Sequence, residues 1–150
     1  MRLSTTTGTF GFTLEGEYLP YKESLRRCYE AGYRVLDINF CRAIAGKTDL
    51  AADNWEQTIH ELREEAEKLG VEFSQSHPVF LTKHYDDCDP ELQQVYHEMT
   101  RRSIIASSIL GVKWAVVHPQ NYTEASALNP EACIQENVEH FSPIVELANK

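Results

Sequence analysis

The chain has 150 residues, 42% hydrophobic and 25% charged, the balance of a globular protein long enough to bury a real core. Its formal net charge of −9 argues against a nucleic-acid partner, which needs a basic face. No apolar run approaches the ~20 residues of a membrane span, and the opening MRLSTTTGTF lacks the apolar core of a signal peptide. The two arginine pairs, Arg26-Arg27 and Arg101-Arg102, read as solvated helix surface. Cys28, Cys41, Cys88 and Cys133 are scattered without a CxxC pair, so reduced thiols in a soluble cytoplasmic protein are expected. One domain over 1–150 follows.

In chain order, RLSTTTGTFGF (2–12) offers an opening strand, although its threonines and glycines suit a loop equally well. LPYKESLRRCYEAGY (19–33) places Pro20 at a helix start, Leu25 and Cys28/Tyr29 on a buried face, and Gly32 at the stop. VLDINF (35–40) is the strand after it. In 53–70, Trp55, Ile59, Leu62, Ala66 and Leu69 recur at three- and four-residue steps, which makes one apolar stripe on a helix. Asp53 with Glu56 fits a capping box, and Gly70 is the left-handed stop.

The next strand, VEFSQSH, puts Val71, Phe73, Gln75 and His77 on one side by simple alternation, and Pro78 ends it. Asp89 and Pro90 then cap and open a helix whose apolar period runs from Leu92 to Leu110. VKWAVVHP (112–119) reads as an apolar strand buried on both faces, with Val112, Trp114, Val116 and His118 on one side and Pro119 as its end. Finally, Asn129 and Pro130 start a helix with Ile134, Val138, Phe141 and Val145 as its buried stripe; Pro143 inside it should kink or split it.

Helix-ending glycines at 32, 70 and 111 mark successive βα units, and LGVEFSQSHP (69–78) and LGVKWAVVHP (110–119) are the same plan written twice. Strict alternation of this kind implies parallel strands joined by right-handed crossovers. The two copies therefore put His77 and His118 at the tips of neighbouring strands.

Several segments, in this order and spacing, resemble the xylose isomerase-like TIM barrels, which include sugar isomerases, sugar epimerases and the endonuclease IV group. AGYRVLDINF looks like that family's second strand, bearing Asp37. EEAEKLGVEFSQSHPVF looks like its third unit, SSILGVKWAVVHPQN like its fourth, and ENVEHFSPIVELANK like the helix leading to its fifth. The resemblance implies an α/β fold, a parallel (βα)4 half of a TIM (β/α)8 barrel, with sites at the C-terminal ends of the strands. It implies a substrate pocket lined by His77, His118, Asp37, Gln75 and Trp114, with His77 and His118 as metal ligands in the endonuclease branch.

For each residue a plainer role stands beside that one. The histidines can be strand-end groups bonded to loop backbone, Asp37 can be an internal salt-bridged carboxylate, Gln75 and Asn39 can form a structural polar layer, and Trp114 can fill core. His60, His84, His97 and His140 are expected at the surface.

The implied activity is that of the N-terminal part of a sugar or keto-sugar isomerase or epimerase dependent on a divalent metal (Mn, Mg or Zn). A complete barrel takes roughly 250 residues. The resemblance puts the main metal-binding carboxylates and the catalytic residues beyond residue 150, so this chain is expected to bind metal weakly or not at all and to turn over little. The alternatives are a non-catalytic half-barrel interaction module and an endonuclease IV-like DNA repair fragment. A sugar is the expected substrate of the complete protein, with no nucleic-acid or membrane partner. Four strands leave two bare edges and an inner face, which if apolar would favour self-association or docking of a missing C-terminal half.

Overall fold

The computed structural model describes residues 2–119 and 128–150; Met1 and the end of the fourth-unit motif, Gln120 and Asn121, lie outside the described residues. Strands β1 (Ser4–Thr6), β2 (Val35–Asn39) and β3 (Glu72–His77) form a parallel sheet in that order. They alternate with α1 (Tyr21–Glu30), α2 (Trp55–Leu69), α3 (Pro90–Ile109) and α4 (Pro130–Ala148). The opening strand is three residues long and passes into a 3-10 turn over Thr7–Phe10, so the threonine-rich stretch is strand and turn in succession.

Three of the four helix starts are capped by a side chain. Asp89 accepts from the Leu92 N–H at 2.8 Å, and Asn129 accepts from the amides of Glu131 and Ala132. α1 has no side-chain cap of its own at Pro20; the Asp49 carboxylate, 28 residues away in sequence, takes the Tyr21 N–H at 2.7 Å. Burial pushes the Asp49 carboxyl up, and this backbone bond pulls against that shift. The capping box expected from Asp53 and Glu56 does not form: α2 begins at Trp55, and its cap position, Asn54, makes no side-chain cap bond. A turn through the residues before Trp55 moves Asp53 off the cap. Gly70 and Gly111 do adopt positive φ, 65° and 72°, as the chain leaves α2 and α3.

The core lies between the sheet and α1 to α3. Leu25, Cys28, Leu36, Ile38, Ile59 and Leu62 are fully enclosed there. Serines allow α3 to approach β3 closely: Ser107 Oγ lies 2.7 Å from both Ser76 Oγ and Ser103 O, all three residues buried. Arg102 is not the solvated surface residue expected. Its guanidinium bonds the carbonyls of Leu50 and Ala52 at 3.0 Å and lies over the Trp55 ring, because α3 crosses the loop that leads into α2.

Register explains which residues leave the core. Leu36 pairs with Phe73, but Asp37 pairs with Gln75, so Ser74 is an extra residue in β3. Paired residues on parallel strands share a face. Phe73 therefore packs with Leu36 on the helix side, while Gln75 and His77 join Asp37 and Asn39 on the other. The alternation expected to place Val71, Phe73, Gln75 and His77 together is broken at that bulge.

Two further expectations are corrected. The 112–118 segment is not a strand buried on both faces: it makes one parallel bridge, Ala115 to Ser76, with Ser76 N–H donating to Trp114 O and Val116 N–H to Ser76 O. Trp114 is 72% exposed, since only one of the segment's edges is paired and nothing described covers its inner side. The stripe on α4 is likewise uncovered: Ile134, Val138 and Val145 are more than half exposed. That helix packs mainly on α3, and Pro143 does not split it.

Candidate functional site at the strand tips

Asp37 organises the polar face of the sheet. Its Oδ2 accepts from Gln75 Nε2 at 2.6 Å and lies 2.6 Å from His77 Nδ1. A carboxylate only accepts, so His77 must carry its proton on Nδ1, leaving Nε2 as the group that faces outward. Asp37 is almost fully enclosed, and its other oxygen, Oδ1, has no hydrogen-bond partner. His118 lies beside His77 with ring centroids 5.8 Å apart and planes 29° from parallel, and Phe80 closes on His118 at 5.2 Å.

Four of the five residues named from the sequence thus come together: Asp37, Gln75, His77 and His118. Trp114 shares their face by parity with the Ala115–Ser76 bridge, yet its indole stands in solvent. Asn39 holds the turn after β2, its Oδ1 accepting from the Cys41 N–H at 3.1 Å. The inner face is accordingly polar, not the apolar surface considered above. Phe80 and Cys41 were not among the site residues expected from the sequence. Cys41 Sγ lies 3.6 Å from the Pro78 carbonyl, and burial, with Asp37 nearby, pushes its thiol up. The only sequence signal for either is adjacency to a strand tip.

His77 Nδ1 bonds Asp37, the contact that commonly orients a metal-bound imidazole, which leaves Nε2 open, and His118 lies beside it, so these tips offer two nitrogen donors. Among the described residues no group of three or more His, Cys, Asp or Glu side chains is placed to hold a metal.

A second cluster lies where α3 meets α4 and corrects the expected surface position of His140. Tyr96 OH bonds His140 Nε2 at 3.0 Å with the rings stacked, and Tyr85 OH meets His97 Nε2 at 2.6 Å. Burial pushes the Tyr96 hydroxyl up to about 12, so it keeps its proton and donates to a neutral His140. Burial, with the His97 charge adding to it, pushes His140 down to about 4 from 6.5. The sign is clear. Stability is full above about pH 6.5 and falls toward pH 4, as the unfolded chain takes up a proton that the folded chain resists. Melting temperature should therefore drop between pH 7 and 5, and by less in His140→Phe. This window lies above the titration of Glu98, which hydrogen bonds from Arg101 and Arg102 hold at about 2. Equal drops in both proteins would assign the acid sensitivity elsewhere.

The architecture is that of one half of a TIM (β/α)8 barrel. No protein-family model matches the chain, and no curated protein matches it by sequence. Solved structures do match its fold. A D-psicose 3-epimerase in the presence of D-fructose aligns at TM-score 0.62 and 12% identity, over 99% of this chain and 49% of that one. A D-tagatose 3-epimerase-like protein aligns at 0.65 and 18%, over 99% and 49%. The 3-keto-D-glucoside 4-epimerase YcjR from E. coli, in its apo form, aligns at 0.57 and 12%, over 100% and 54%. The chain spans about half the length of these structures. No helix among the described residues is long and apolar enough to cross a membrane.

Proposed function

We propose that this chain supplies the N-terminal half of the sugar pocket of a keto-sugar epimerase or isomerase, in a soluble, cytoplasmic setting. One observation carries the reading: a buried carboxylate holds an amide and an imidazole at the tips of parallel strands, with a second imidazole alongside. Ligands of this fold class sit at that end of the strands. Fixed donors and acceptors suit the hydroxyls of a sugar, and His77 Nε2 is positioned to accept a proton or hydrogen bond from one.

The fold likeness to solved D-psicose, D-tagatose and 3-keto-D-glucoside epimerases supports a ketose or keto-glycoside as the substrate of this reading. The metal-dependent proton transfer implied by the sequence resemblance calls for several carboxylates, and the one at these tips, Asp37, is already bonded to Gln75 and His77. The chain therefore contributes substrate contacts and turns over little by itself.

Titration of the 15N-labelled chain with D-fructose and D-psicose tests this. Weak, saturable shifts are expected at the imidazole resonances of His77 and His118 and at the Gln75 side-chain amide, with none at His60 on the far face. Shifts absent up to saturating sugar, or equal at His60, would remove the pocket.

A further inference from the structure

The sheet ends in two unpartnered surfaces that fit each other. At one end a groove of about 690 Å³ runs between the 112–118 segment and α4. Val117, Ile134, Val138 and Val145 line it, 38%, 65%, 55% and 56% exposed. Trp114 C=O and Val116 N–H are bonded to Ser76, so by the alternation of a parallel ladder the backbone groups of Ala115 and Val117 point away from β3, toward an absent neighbour.

At the other end β1 is paired on one side only. Thr5 pairs with Leu36 on the helix face, and Leu3, with the same parity, stands 70% exposed on the side where a covering helix belongs. The groove thus offers a strand edge and an uncovered helix, and β1 offers a strand edge that lacks a helix. Strand starts and helix ends share one end of a βα repeat, so Arg2 and Arg34 beside β1 would meet Glu146 in the groove. The matched structures are about twice as long as this chain, and a closed ring takes eight strands, twice the four extended segments described here.

We propose that a second copy of this chain docks the outer edge of its β1 into this groove, and that the reciprocal contact closes two copies into one eight-stranded ring about a two-fold axis. The arrangement is isologous and self-limiting, since each copy uses both of its open edges. It also places two copies of the polar strand tips around one mouth, whichever sugar that mouth accepts.

Sedimentation equilibrium of the whole chain, from micromolar concentrations upward, should give twice the 17.2 kDa monomer mass. Val138→Asp and Leu3→Lys change exposed side chains, and circular dichroism verifies that both variants stay folded. Each alone should weaken self-association about tenfold or more. Mixed in equal amounts they should associate more tightly than either alone, because the mixed pair keeps one contact intact and sets Asp opposite Lys in the other. A monomer at every concentration, a Leu3→Lys variant that dimerises like the parent, or a mixture no tighter than its components would each overturn the proposal.

Discussion

Phe40→Ala is expected to lower the melting temperature by about 10 °C, through a loss of about 4 kcal/mol. Phe40 is fully enclosed, packs edge-on to Tyr21 at 5.6 Å and follows directly on β2. Its N–H also donates to His77 O at 2.9 Å, so the same residue fills the core and ties two strand tips together. A chain of this size has only about 5–15 kcal/mol of stability to lose, and truncation leaves a cavity that rigid strands cannot close. Thermal unfolding followed by circular dichroism reads the effect. Phe40→Leu, nearer in volume, should recover most of it; equal losses in the two variants would mean that the ring's shape is not what matters.

The second large effect is at Asp37. With the carboxylate in place, His77 is held as the Nδ1–H tautomer, visible in long-range 1H–15N spectra of the imidazole. Asp37→Ala should release it to the Nε2–H form that free histidine prefers. It should also weaken ketose binding about 10- to 100-fold, the equivalent of losing one hydrogen bond to a charged group. Asp37→Asn keeps an oxygen for the two donors and should fall between. A wild-type His77 already in the Nε2–H form would show that Asp37 does not set it.

Much of this was legible in the sequence for a physical reason: glycines at 32, 70 and 111 stop helices whatever their surroundings, and a proline after each histidine stops a strand. Those local rules are enough to put His77 and His118 on neighbouring tips, and they do lie 5.8 Å apart. The (βα) order and the half-barrel class follow from the same punctuation. What escaped depends on partners distant in sequence. Asp49 caps α1 from a loop that no local pattern connects to it, and that loop's Asn54 displaces Asp53 from the start of α2. His140 is half-buried only because α4 docks on α3, and the α4 stripe, correctly read as apolar, lacks the cover that periodicity takes for granted. The Ser74 register shift is a property of two strands together, and alternation within one strand cannot disclose it.

That extra residue divides β3 into two stretches with separate obligations. Before Ser74, the odd-numbered positions answer to the helices and must remain greasy; after it, the odd-numbered positions answer to whatever enters the mouth. Variation aimed at specificity can therefore be confined to Gln75 and His77 without disturbing Phe73, two residues away. An engineer who deleted Ser74 would straighten the strand and leave Gln75 and His77 on the polar face, whereas one who deleted Ser76 would swing the imidazole onto the helix side.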